Sequence, residues 1–422
     1  MNTEINNRPD RRRKKKTSQS DTGSVSSPEN KAARNHNGGS AAGTALEKPD
    51  GGKNRPAVRQ ARPNRKNNSN RNPQFQKPIS NHIYSAIDLG TNNCRLLVAQ
   101  QTEGGFKVID SFSRIVRLGE GLGQNGTLSE AAIDRTIAAL DICVAKIKRR
   151  GVTHMRNVAT QACREALNCD AFVERVEKEV RIKLDIIDPM EEARFAVMGC
   201  KALLDRNTPR AIVFDIGGGS TELIWVKVHK NGMPEILDWT SIPFGVVNLS
   251  EKYGTKDAIS ADHYAEMRQS ILDVILPFEA KNNMAAEVGE GRVQLLGTSG
   301  TITTLTSMQL GLETYDRNKV DGTKVKAAEI QALCQQLSGL DYDARVALKS
   351  IGKDRADLVV AGCAILESIM DLWPIRDIRV ADRGIREGML LEMMETTTPR
   401  RKKNNRRRNR PNRNRNSKAA KK

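Results

Sequence analysis

The chain carries one short pattern twice. Ala86-Ile87-Asp88-Leu89-Gly90-Thr91-Asn92-Asn93 is echoed by Val213-Phe214-Asp215-Ile216-Gly217-Gly218-Gly219-Ser220-Thr221-Glu222, with the two aspartates 127 positions apart. In each copy an apolar strand ends in Asp, a glycine-bearing turn follows, and an apolar strand resumes. The pattern predicts a hairpin with a polar tip, and its repetition predicts two related halves. Glycine lets backbone N–H groups converge on one phosphate, Ser and Thr hydroxyls add donors, and the Asp can hold Mg2+ against the same phosphate. Two such turns facing each other would clamp a phosphate chain from both sides. One copy alone would read as an ordinary Asp-Gly turn.

Two further segments add to this. Leu295-Leu296-Gly297-Thr298-Ser299-Gly300-Thr301-Ile302 runs from an apolar strand into a helix whose N-terminus favours an anion. Asp188-Pro189 is a cap followed by a first-turn proline, and it opens a helix over about 190–204. Glu191 and Glu192 sit in its first turn, either as an acid/base site or as simple partners of the helix dipole.

Strand and helix patterns alternate through the middle of the chain, which predicts α/β architecture. Strands are expected at 83–88, 95–100, 106–112, 211–215 and 222–228. Ser129 caps a helix with apolar positions Ile133, Ile137, Leu140, Val144 and Ile147, stopped by Gly151. Later helices are expected at 261–278, 302–310, 327–337 and 355–372.

A formal charge of +19 would point to nucleic acid if it were spread evenly. It is not. Residues 1–80 hold 18 Lys or Arg against 6 Asp or Glu, and residues 399–422 hold 13 Lys or Arg and no acid, so the stretch between is mildly acidic. Both ends are too polar to offset the entropy of ordering and are read as disordered basic tails. The seven cysteines are scattered with no CxxC pair, which excludes a disulfide framework and a zinc site as first readings. Without a signal sequence or an apolar run long enough to span a bilayer, the expectation is a cytoplasmic protein with no membrane contact.

Six segments in order, AIDLGTNNCRLLVA, VATQACREALN, MEEARFAVMG, VFDIGGGSTELIWV, LLGTSGTITTL and ADRGIREG, resemble the exopolyphosphatase and guanosine pentaphosphate phosphohydrolase family over roughly residues 83–395. The resemblance implies duplicated actin-like (ribonuclease H-like) α/β domains with an interdomain phosphate cleft, set here at 81–205 and 206–398. It implies that Glu192 is the base that activates water, with Glu191 beside it, and that Arg164 neutralises the phosphate chain. It also implies that Asp215 and Glu222 hold Mg2+. The turns at Asp88, Gly90, Thr91 and Asn93, at Gly217, Gly218, Gly219, Ser220 and Thr221, and at Gly297, Ser299, Gly300 and Thr301 would cradle phosphates. Polyphosphate or guanosine pentaphosphate (pppGpp) is the implied substrate, and a homodimer the reasonable assembly. Asp188-Pro189 stands where many relatives carry Ser-Gly, and the helical C-terminal domain of long relatives has no counterpart before residue 398. Two other readings stay open: a kinase of the same fold, and a non-catalytic binder of alarmone or RNA.

The tails lie outside the resemblance, so catalysis should not need them, while a flexible polycation attracts polyanions without reading sequence. A chain trimmed to residues 81–398 should hydrolyse short substrates at the full-length rate yet bind long polyphosphate or RNA more weakly at low salt. The gap should close as salt screens the exposed charges. Equal affinities of the two chains across a salt titration would remove any recruiting role for the tails.

Overall fold

Both echoed segments fold into hairpins of the same geometry. The computed structural model describes residues 78–255 and 258–397; the two basic tails fall outside the described residues except for 78–80, which open the first strand instead of ending the tail. Gly90 N–H donates to Asn93 O at 2.9 Å, and Gly217 N–H donates to Ser220 O at 2.9 Å, so the two turns close in the same way. Around the first hairpin, β1 (Pro78–Leu89), β2 (Asn93–Thr102), β3 (Gly105–Ile115), β4 (His154–Ala159) and β5 (Asp185–Ile186) form a sheet in the order β3-β2-β1-β4-β5. Around the second, β6 (Arg210–Ile216), β7 (Thr221–Val228), β8 (Pro234–Ile242), β9 (Val293–Thr298), β10 (Lys324–Lys326) and β11 (Asp377–Ala381) form a sheet in the order β10-β11-β9-β6-β7-β8. In each, an antiparallel meander of three strands is extended by a strand that returns parallel to the first, β4 beside β1 and β9 beside β6. The expected α/β class with a repeated half is thus the observed architecture.

The helix Glu130–Arg150 follows the sequence reading at both ends. Ser129 Oγ accepts from Ala132 N–H at 3.3 Å, and Gly151 takes the left-handed conformation at φ +62° that only glycine enters without cost. Its stripe of Ile133, Leu140, Val144 and Ile147 is buried against the first sheet with Leu96 and Val98. The second sheet is covered by the helices Ala261–Asn282, Gly300–Gln309 and Val359–Leu372. The last of these begins four residues later than expected. Residues 355–358 make a separate turn, where Arg355 reaches across to Thr304 Oγ1 at 2.7 Å. No described helix is long and apolar enough to cross a membrane.

Two helices carry the contact between the halves. Pro189–Cys200 starts at Asp188, whose carboxylate accepts from Glu191 N–H at 2.8 Å, and it ends at Cys200 in a tighter turn, Lys201–Leu203, not at 204. Ala193, Ala196, Val197 and Cys200 pack on the second sheet, while Phe195 turns to a cluster with Tyr84, Ala86 and Leu97 of the first. The helix Ile385–Thr397 joins that same cluster through Met389, Leu390 and Met394. The helices meet backbone to backbone. A Cβ at Gly199 would stand 2.1 Å from Gly384 O, and one at Gly388 would stand 2.2 Å from Phe195 O.

This crossing tolerates no side chain. Gly199→Ala should cost about 2–3 kcal/mol in urea denaturation, the scale of overpacking a tight contact. Gly289→Ala, in a helix with nothing within 4 Å of the added carbon, should be neutral or stabilising by up to about 1 kcal/mol. Equal effects at the two positions would show that the helix crossing is not a close one.

Candidate active site

The two hairpin tips touch. A Cβ on Gly218 would come to 3.0 Å from Asn92 N, and one on Gly219 to 2.8 Å from Thr91 Oγ1, so glycine here allows the apposition. Beneath the tips lies a cavity of about 440 Å³. Its wall takes Asp88, Gly90, Thr91 and Asn93 from the first turn and Gly217, Gly218, Gly219 and Ser220 from the second. Ser299 and Gly300 come from the strand-to-helix connection. Ser299 holds φ +76° with ψ −168°, a conformation rare for any residue with a side chain.

Five of the expected residues, Glu191, Arg164, Thr221, Gly297 and Thr301, do not line this cavity; the Arg164 guanidinium, expected on the phosphate chain, donates instead to Glu192, Gln161 and Ile187 O. Thr221 is buried and donates to Phe244 O at 2.7 Å. Gly297 leaves room for the Phe214 ring, 2.2 Å from where a Cβ would stand. Thr301 lines a smaller cavity of about 90 Å³ alongside.

Five carboxylates line the cavity, the part-buried Asp382 and four that are almost fully buried. Asp88, Glu192, Asp215 and Glu222 all line the cavity and are 9%, 7%, 8% and 2% exposed. Asp215 and Glu222 are direct cross-strand partners at the mouth of the second hairpin. Glu222 Oε1 accepts from Ser220 Oγ at 2.8 Å and Ser241 Oγ at 2.9 Å. Burial pushes the Asp215 carboxyl up to about 7, and the nearby Glu222 charge adds to this against the opposing pull of Arg95. Burial also raises Glu222 and Asp88. Glu192 is raised well above its usual range, first by burial and then by the charge of Glu222, despite the Arg164 guanidinium beside it.

Glu191 and Glu192 point to different surroundings. Glu192 accepts from Arg164 at 2.8 Å, and Arg164 in turn donates to Ile187 O and Gln161 Oε1. Glu191 is half-buried outside the cavity, where Arg156 holds it at 2.5 Å, with Arg194 at 3.7 Å.

Five arginines line the same space: Arg95, Arg317, Arg355, Arg383 and Arg386. Sequence reasoning missed all five. Arg95 was open to discovery, because it pairs across the hairpin with Asp88 as Glu222 pairs with Asp215. Arg383 and Arg386 lie within the ADRGIREG segment. Arg317 is fixed by Glu387 Oε1 at 2.7 Å, and Arg383 by Asp321 Oδ2 at 2.7 Å. Among the described residues the Arg95 and Arg386 side chains have no hydrogen bond or ion pair, which leaves them for an anion in the cavity.

The family model of the Ppx/GppA phosphatase family matches residues 97–397. The chain belongs to the Ppx/GppA phosphatase family. It is therefore a hydrolase acting on phosphoanhydride bonds, with the family's duplicated actin-like architecture. Exopolyphosphatase 2 of Mycobacterium tuberculosis is 28% identical over 73% of this chain and 98% of its own length. The guanosine-5'-triphosphate,3'-diphosphate pyrophosphatase of Photobacterium profundum is 27% identical over 76% of this chain and 60% of its own. The crystal structure of an exopolyphosphatase from Cytophaga hutchinsonii superposes with a TM-score of 0.68 at 27% identity, covering 75% of this chain and 99% of that one.

The donor set fits a hard divalent cation. Among the described residues no three His, Cys, Asp or Glu side chains converge into a complete metal site. Asp215 and Glu222 offer two carboxylates, about what Mg2+ takes from a protein when phosphate oxygens and water fill its remaining positions. Without a cation, the raised Asp215 carboxyl makes stability depend on pH. The folded state binds this proton more tightly than the unfolded chain, so the stabilisation is present below about pH 4 and lost as pH rises through about 7. Glu192, Glu222 and Asp88 act in the same direction. In chelator, the melting temperature should fall between about pH 5 and about pH 8, and it should fall less for Asp215→Asn. Millimolar Mg2+ should restore the wild type at the higher pH. Parallel pH profiles for the two proteins would contradict this assignment of the carboxylates.

Proposed function

We propose that this chain removes the terminal phosphate from inorganic polyphosphate or guanosine pentaphosphate, with Glu192 as the base that orients and deprotonates water. The observation that carries the reading is the meeting of buried carboxylates and unpaired guanidiniums in one cavity under two phosphate-cradling turns. Family membership supports phosphatase action on one or both substrates, since relatives are named for each.

Phosphoryl transfer to water asks chiefly for positioning, neutralisation of charge and an oriented nucleophile. The amides of Thr91 and Asn92 and of Gly218 to Ser220, at the tips of the turns that Gly90 and Gly217 close, orient the terminal phosphates, and Arg95 and Arg386 neutralise them. Glu192 is held in place by Arg164, and its raised proton affinity makes it a stronger base than an ordinary carboxylate. Asp215 and Glu222 would hold Mg2+, which supplies charge neutralisation at the phosphate when bound. A kinase would need an acceptor pocket in place of the Glu192 water position. A pure binder would have no use for a buried carboxylate at that place.

Glu192→Gln should lower the rate of phosphate release roughly a hundred- to ten-thousand-fold with substrate binding retained. Glu191→Gln should stay within a few-fold of wild type, because its carboxylate is engaged by Arg156 outside the cavity. The reverse ranking, in a phosphate-release assay on tripolyphosphate and guanosine pentaphosphate, would refute the assignment of the base.

A further inference from the structure

The cavity has a continuation that neither the family roles nor the chemistry at Glu192 uses. An open groove of about 770 Å³ adjoins it, and Asn93, Ser113 and Arg355 line both. The shared wall is β3. Ser111, Phe112 and Ser113 line the cavity, and Ser113, Arg114 and Ile115 line the groove. At about 3.3 Å per residue, Ser111 to Ile115 spans about 13 Å, enough for several linked phosphates beyond the one being cleaved.

The groove is also basic. Arg114, Arg117, Arg135 and Arg355 line it, against two acids, Glu120 and Asp354. Arg117 is engaged by Asp357 at 2.7 Å, and Arg135 by Glu120 at 2.8 Å. Arg114 differs from both. Its guanidinium stacks 5.4 Å over the Phe112 ring, and among the described residues it has no ion pair or side-chain hydrogen bond. A stacked guanidinium is pre-positioned, so little freedom is lost when it meets an anion.

We propose that this groove is a second polyanion subsite, in which the rest of a long inorganic polyphosphate lies against Arg114 while its end occupies the cavity. The proposal rests on the reading of polyphosphate as a substrate and adds a device for chain length. A substrate of three phosphates ends inside the cavity and never reaches Arg114. A chain of tens of phosphates leaves along β3 and does.

The test is the chain-length dependence of KM in the full-length protein with Mg2+, so that wild type and variant carry the same basic tails. Arg114→Glu should raise KM for long polyphosphate about ten-fold, equivalent to about 1.4 kcal/mol of lost binding. It should leave kcat and KM for tripolyphosphate unchanged, and Arg114→Lys should recover most of the long-chain KM. An unchanged ratio of long- to short-chain KM, in a variant that still cleaves tripolyphosphate normally, would overturn the groove. Equal KM increases for both lengths would also overturn it, because the residue would then act on the cavity itself. Wild-type protein that releases phosphate from guanosine pentaphosphate but from no polyphosphate would remove the substrate reading on which the groove rests.

Discussion

Four buried carboxylates in one cavity repel one another and lose their hydration together, and much of the molecule is arranged around that cost. Asp215 and Glu222 face each other across a hairpin, Glu192 approaches from a helix, and Asp88 from the opposite turn. Part of the cost is offset by protonation, part by hydroxyls such as Ser220 and Ser241, and part by the guanidiniums Arg95 and Arg164. The remainder is a cost that a bound cation would relieve.

The supporting shell shows the same logic at one remove. Glu387 is fully enclosed. Burial alone would raise its carboxyl, yet Arg386 and Arg317 hold it below its usual range, and it also accepts from Gly384 N–H at 2.9 Å. It thereby fixes the loop at 382–384, whose Arg383 carbonyl accepts from Thr298 Oγ1 at 2.5 Å at the end of β9. Thr298 is the parallel neighbour of Asp215. A chain of polar contacts therefore runs from the last helix to the strand that carries Asp215.

Much of this could be read from the sequence, and the parts that could not have physical reasons. The duplicated hairpins, the Ser129 cap and the Asp188-Pro189 helix start were legible because each rests on interactions between residues close along the chain. The strand β4 was not, since His154, Arg156 and Asn157 break its apolar pattern and only its last residues reach the core. The site residues divide in the same way. Glycines, Asp215 and Glu222 announced themselves through the echo. Arg317 and Arg355 reach the cavity by tertiary folding alone, from segments with no motif. Glu191 and Glu192 are adjacent in sequence, and only the family resemblance favoured Glu192 there; helical rotation separates them in space, sending one to Arg156 and the other to Arg164.

The Ile385–Thr397 helix completes the first sheet although it is made last. It packs with Tyr84, Ala86 and Leu97, and Tyr84 OH lies 2.6 Å from Thr397 Oγ1. Covalent order and spatial order thus part company: the chain leaves its first half, builds its second, and returns to close the first. During synthesis on the ribosome the face that bears Tyr84, Ala86 and Leu97 cannot gain its contacts with Met389, Leu390 and Met394 until nearly the whole folded region has emerged. A gene cut between the two echoed segments would yield a first fragment without those contacts, so the halves could be shared between two polypeptides only if the last helix travelled with the first.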